Sequence, residues 1–166
     1  KDAFHSDLFE EINNKVYSMA MIQDQLNANG NVESINLKSF LECLVNNLNG
    51  TYGLDKSIQI NLELEEVAVN ISTAIPCGLI ANEILTNSFK YAFSERNKSP
   101  ELKIKLKQTK KTVELSFFDN GSGFDLKATK TGMGLELIRD LSEQIDAVMN
   151  ITIDNGVNVK LRFPTS

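Results

Sequence analysis

Glu83, Asn87, Lys90 and Tyr91 fall within one short segment, Ala81-Asn-Glu-Ile-Leu-Thr-Asn-Ser-Phe-Lys-Tyr91, whose apolar residues recur at helical spacing. On an α-helix Glu83, Asn87 and Tyr91 stand four apart and Lys90 three beyond Asn87. A carboxylate, an amide, an ammonium and a phenol ring would then project from one stripe. A buried polar group left unpaired costs about 1 to 3 kcal/mol, so such a stripe on an apolar helix asks for a ligand, and a nucleotide with its metal would satisfy it. The plainer reading is a helix with an ordinary polar side. The Asn87 amide oxygen suits Mg²⁺, a hard cation that keeps several waters and leans on substrate phosphates. Lys90 can neutralise phosphate oxygens as a point charge, and Tyr91 offers a ring face to a base. Glu83 can accept the proton of an attacking group or order a metal-bound water.

Two glycine segments could complete such a site. In Asp119-Asn-Gly-Ser-Gly-Phe124, directly after a strand-like run, Gly121 and Gly123 permit positive φ and close backbone approach. Asp119 can accept a hydrogen bond from an exocyclic amine, which adenine has and guanine lacks at its 6-position. Asp and Gly at this spacing also make plain turns or calcium loops, but the later positions hold Phe124, Leu126 and Lys127 instead of oxygen ligands. In Thr131-Gly-Met-Gly-Leu135, Gly132 and Gly134 flank Met133 where a helix should start. Exposed N–H groups and the positive end of the helix dipole attract phosphate there. No Gly-Lys-Ser/Thr follows and no third glycine arrives, so neither a Walker loop nor a dinucleotide fingerprint is present.

The elements that must hold these residues follow from periodicity. Apolar positions at Phe4, Leu8, Ile12, Val16, Met19 and Ile22 predict a helix over 2–26, ended by Asn29-Gly30-Asn31. A second helix, capped by Asn36, is predicted to run from Leu37 to an Asn49-Gly50 stop. Strict alternation predicts a strand over 58–64, with a short return near 67–69. Pro76 suits the first turn of the Asn87 helix, which should continue to Phe93. Runs at 102–106 and 113–118 predict an antiparallel hairpin, a helix is predicted from Gly134 to Ile145, and strands at 147–153 and 157–163 flank the turn Asp154-Asn155-Gly156.

Composition bounds the partners. The chain has 166 residues, a formal net charge of -5, 42% hydrophobic and 23% charged residues, which fits one soluble core and argues against nucleic acid or anionic membrane. Lys103, Lys105 and Lys107 alternate with Leu102, Ile104 and Leu106, as on a solvated strand face, and Lys110 and Lys111 read as a basic turn. Cys43 and Cys77 lie in apolar contexts without a Cys or His cluster, which indicates neither a disulfide framework nor zinc and suits a reducing cytosol. No apolar run approaches the roughly 18 residues that span a bilayer.

Taken in order, the three motifs resemble the N box, G1 box and G2 box of the Bergerat ATP-binding fold shared by DNA gyrase, MutL-type repair proteins and sensor histidine kinases. The likeness covers 58–164, and the ending Gly156-Val-Asn-Val-Lys-Leu-Arg-Phe-Pro164 looks like the last strand of histidine-kinase catalytic domains. Residues 1–53 add a helical arm: Val16-Tyr-Ser-Met-Ala-Met-Ile-Gln-Asp-Gln-Leu26, then Ile35-Asn-Leu and a helix ending Tyr52-Gly53. That arm is similar to the kinases whose acceptor helix reads His-His-Arg-Val-Lys-Asn-Asn. The resemblance implies an α+β two-layer sandwich over 54–166, with helices on one face of a mixed, mostly antiparallel sheet. It further implies Mg²⁺ on Asn87, phosphate near Lys90, the base against Tyr91, the adenine amine on Asp119, and a pocket shaped by Gly121, Gly123 and Phe124. Gly132, Met133, Gly134 and Leu135 would stand at the phosphates, and Glu83 at the place of the general base or metal-water ligand.

The implied activity is transfer of the γ-phosphoryl group of ATP to a histidine, then relay to the receiver domain of a response regulator, by a cytoplasmic catalytic domain of a homodimer. The sequence departs from the pattern in three places. Fewer than ten residues separate Phe124 from Gly132, so the lid is very short, and Gln23 replaces a common histidine. The acceptor motif is missing, since the sole histidine, His5, sits in His-Ser-Asp-Leu-Phe-Glu. The chain is therefore expected to begin within the second dimerisation helix, with its acceptor upstream or in another protomer. An anti-sigma-factor serine kinase and a non-catalytic nucleotide-binding module carry the same boxes and are the competing readings.

Overall fold

A computed structural model of the chain describes residues 34–53, 57–93, 99–123 and 133–165, together with Ile12, Asn13, Val16, Tyr17, Met19, Ala20, Met21 and Asp24, all eight of which are helical. The expected end of that first helix at Asn29-Gly30-Asn31 lies outside the described residues.

Strand β1, Ile35–Asn36, leads directly into helix α1, Leu37–Tyr52. Asn36 caps it as expected: its side chain accepts from the N–H groups of Lys38 at 3.0 Å and Ser39 at 3.3 Å. Gly50 does not stop the helix. It lies inside the last turn with nothing within 4 Å of a Cβ built on it, and the C-cap is Gly53, whose N–H donates to the Asn49 carbonyl at 2.9 Å. A solvent-facing glycine weakens a helix by only about 1 kcal/mol, which the buried stripe Leu37, Phe40, Leu41, Leu44, Val45 and Leu48 outweighs.

Strands β2 (Gln59–Leu64) and β3 (Ala68–Val69) follow, and β3 pairs antiparallel with β1 through Ile35↔Val69. Residues on either side of 53/54 thus share one hydrogen-bonded pair and one apolar cluster. Helix α2, Ile71–Asn87, begins earlier than Pro76 suggests, because Asn70 caps it by accepting from Thr73 N–H at 2.9 Å. Pro76 sits inside the helix, where its missing N–H removes one internal hydrogen bond. From Ser88 to Ala92 the chain widens into π-helical turns.

The main sheet contains β2, β4 (Glu101–Gln108), β5 (Thr112–Asp119), β6 (Val148–Ile153) and β7 (Val157–Pro164) in the order β2-β4-β5-β7-β6. Only β2 and β4 are parallel. Alternation sends Leu102, Ile104, Leu106, Val113, Leu115, Phe117, Val159, Leu161 and Phe163 to one buried face. On that face lie α2 and helix α3, Met133–Gln144, which packs with Ile138 and Leu141. This is the expected two-layer α+β sandwich. On the opposite face Lys103 pairs with Glu101 at 3.4 Å, Lys105 with Glu63 at 2.8 Å and Lys160 with Glu114 at 3.6 Å. The lysine row is a partly solvated strand face.

Candidate nucleotide site

The same alternation that buries Val113, Leu115 and Phe117 places Asp119 on the helix-facing side, where it is 4% exposed. A carboxylate so deep needs donors, because an uncompensated buried charge is costly. Ser88 Oγ donates to its Oδ2 at 2.7 Å, and Gly121 N–H donates to its Oδ1 at 3.1 Å. The strand end and the π-helical end of α2 therefore meet at one carboxylate.

The first glycine loop is held against that same helix end. A Cβ on Gly121 would come within 2.5 Å of the Ala92 carbonyl oxygen, and Ser122 N–H donates to that oxygen at 3.0 Å. Gly123 takes φ +68, open to glycine at little cost. Two residues that the sequence reading did not assign to the site complete the loop. Asn120 accepts from Glu101 N–H and donates to the Ser99 carbonyl, both at 2.8 Å. Gly156, at φ +130, lets the β6–β7 turn approach so closely that a Cβ there would lie 1.9 Å from the Asp119 carbonyl oxygen. Its place in an Asp-Asn-Gly turn was visible; its contact with Asp119 was not.

Gly134, from the second glycine segment, meets α2 nine residues before Ala92. A Cβ on Gly134, in the first turn of α3, would stand 2.8 Å from Glu83 Oε2. Glu83 is 6% exposed, and Leu135 is partly buried nearby in sequence. Phe124 and Gly132 lie outside the described residues, as does the side chain of Met133.

The polar residues expected along one stripe of α2 differ in exposure. Glu83 is buried, Asn87 is exposed, and Tyr91 is 72% exposed. Glu83 and Asn87 keep their four-residue spacing within the α-helix, and the wider π-helical turns that follow alter the register of Lys90 and Tyr91. Lys90 Nζ lies over the Tyr52 ring, 5.1 Å from its centroid. The Tyr91 ring is thus exposed and Glu83 buried, while Gly121 and Gly134 both approach the helix that carries them.

These surroundings fit a nucleotide. The Thr86 hydroxyl, between the two contact points on the helix, is buried without a hydrogen-bond partner among the described residues. The missing side chain of Gly134 lets the start of α3 approach the Glu83 carboxylate, whose Oε2 would lie 2.8 Å from a Cβ there. Among the described residues no three of His, Cys, Asp or Glu cluster to hold a metal ion. A divalent ion here would lean on Asn87, phosphate oxygens and water, as Mg²⁺ commonly does.

Residues 1–52 match the HisKA_2 family model, described as histidine kinase. Blue-light-activated histidine kinase 2 of Erythrobacter litoralis (strain HTCC2594) is 26% identical over 170 residues, covering 95% of this chain and 48% of the relative. The chain is thus similar to a histidine kinase over 95% of its length, and its first 52 residues match a histidine kinase family model. Among solved structures, the histidine kinase domain of the E. litoralis EL346 blue-light activated histidine kinase superposes with a TM-score of 0.84 at 22% identity, covering 93% of this chain and 75% of that one. The mycobacterial sensor histidine kinase MprB does so with a TM-score of 0.65 at 13% identity, covering 80% of this chain and 98% of its own. At such identities these superpositions establish the histidine-kinase fold alone. The chain spans about half the length of the curated histidine kinase it matches, 48%.

Proposed function

We propose that this chain is the ATP-binding catalytic domain of a sensor histidine kinase, acting in the cytoplasm on an acceptor histidine outside it. The observation that carries this is the convergence of both glycine loops on one helix, Gly134 beside Glu83 and Gly121 against Ala92, with Asp119 buried between strand and helix. Asp119 would accept from the adenine amine, Asn87 would hold Mg²⁺, and Lys90 would leave Tyr52 to meet phosphate oxygens. Gly121, Gly123 and Phe124 would shape the base pocket, with Tyr91 at its edge. Gly132, Met133, Gly134 and Leu135 would supply backbone N–H groups at the start of α3. Glu83 would order a metal-bound water or receive the acceptor's proton.

Mg-ATP supplies the phosphoryl group and the charge that must be neutralised as it moves, and the protein's contribution is positioning and electrostatics. Few residues lie between Phe124 and Gly132, so a partner domain would exclude water from the phosphates. The partners are the acceptor helix of this or a second protomer in a homodimer, and a response-regulator receiver domain. Calorimetric titration with Mg-ATP tests the first half of this reading. Incubation with γ-labelled ATP and an acceptor helix supplied in trans tests the second, with acid-labile phosphohistidine as the expected product. Acid-stable phosphoserine would point to the serine-kinase alternative, and no heat at millimolar nucleotide to a non-catalytic module.

A further inference from the structure

Ser88 stands next to Asn87 and opens the π-helical turns, its own N–H shared between the carbonyls of Ile84 and Leu85. Short π segments concentrate at functional sites, since widening a helix re-aims the side chains it carries. Here Ser88 is 5% exposed and its hydroxyl is the one side-chain donor to the Asp119 carboxylate among the described residues, at 2.7 Å. The remaining donor, Gly121 N–H, is longer at 3.1 Å and belongs to the glycine loop.

We propose that Ser88 is a positioning residue that sets the specificity of Asp119 for a base bearing an exocyclic amine. This rests on the reading of Asp119 as the base-recognising group. A carboxylate has about four lone-pair sites. The hydroxyl on Oδ2 and the loop N–H on Oδ1 use one on each oxygen and orient the group, leaving acceptor capacity on both for a ligand N–H. Because the hydroxyl comes from the residue after Asn87, one peptide unit links the base-reading carboxylate to the candidate metal ligand. Without the hydroxyl, Oδ2 loses its donor at a depth that water reaches poorly, and the carboxylate can turn to satisfy itself elsewhere.

The test measures binding of Mg-ATP and of the Mg complex of purine riboside triphosphate, which lacks the exocyclic amine. The wild type, Ser88→Ala, Ser88→Thr and Asp119→Asn chains are compared by calorimetry, after thermal unfolding has established that each is folded. Ser88→Ala is expected to weaken Mg-ATP about tenfold, as for one charged hydrogen bond, and the purine analogue by less than about twofold. Ser88→Thr, which keeps the hydroxyl, should retain most of the preference for ATP. Equal losses for both nucleotides in Ser88→Ala, or no loss, would overturn the role of Ser88 while leaving Asp119 as the reader. A wild type that does not distinguish the two nucleotides, or an Asp119→Asn chain that binds both as well as wild type does, removes the reading of Asp119 and this proposal with it.

Discussion

Lys90 Nζ rests 5.1 Å from the centre of the Tyr52 ring, joining the last turn of α1 to the π-helical end of α2. A cation over an aromatic face contributes about 0.5 to 1 kcal/mol where water still reaches it. Tyr52→Leu and Lys90→Met should each lower the unfolding free energy by about that much, and the double variant by less than the sum. Urea denaturation of all four chains measures the coupling; strict additivity would mean the two side chains do not interact.

Asp119→Asn exchanges an acceptor for a donor at the point where an exocyclic amine would arrive. Mg-ATP affinity should fall by about 1 to 3 kcal/mol. An affinity equal to wild type would remove Asp119 from base recognition.

Two glycines should respond to alanine with opposite signs. Gly156 takes φ +130 with the Asp119 carbonyl 1.9 Å from its would-be Cβ, so Gly156→Ala must displace backbone beneath the site. A loss of about 1 to 3 kcal/mol or more is expected, as for other overpacked positions. Gly50 lies in α1 with open space around it, and Gly50→Ala should raise stability by about 0.5 to 1 kcal/mol. Thermal unfolding of both variants decides, and a neutral Gly156→Ala would contradict the close approach.

Burial pushes the Cys77 thiol up to about 12 from its ordinary 9.0. With the folded-state value the higher of the two, the protonated thiol favours the folded chain. That stability is fully present below pH 9 and lost as pH climbs towards 12, at about 1.4 kcal/mol per pH unit. Denaturation midpoints across this window should fall less steeply for Cys77→Val. In the native chain at pH 8, exposed Cys43 should react with a thiol reagent while Cys77 waits for unfolding. Rapid reaction of both would place Cys77 at the surface.

The elements were largely legible because each carries its own period. The 113, 115, 117 alternation announced β5, Asn36 announced its helix, and Asp154-Asn155-Gly156 announced the last turn. Local signals failed where a distant contact overruled them. Gly50 stays helical because the buried face of α1 is worth more than one glycine costs, and Pro76 is carried inside α2 because the Asn70 cap sets the start.

Which residue types stand ready for nucleotide chemistry, and in which order along the chain, was determined by the sequence alone, since spacing and side-chain chemistry need no coordinates. Only the tertiary structure decided which of them meet. The π-helical turns after Asn87 alter the register of Lys90 and Tyr91, hold Ser88 on Asp119, and leave Lys90 over Tyr52. Gly156 beneath Asp119 and Gly134 beside Glu83 are likewise contacts between segments far apart in the chain. The physical reason is range: helix and strand periods express interactions among neighbours a few residues apart, whereas close packing of α2 against β5 and α3 sets the geometry of the site.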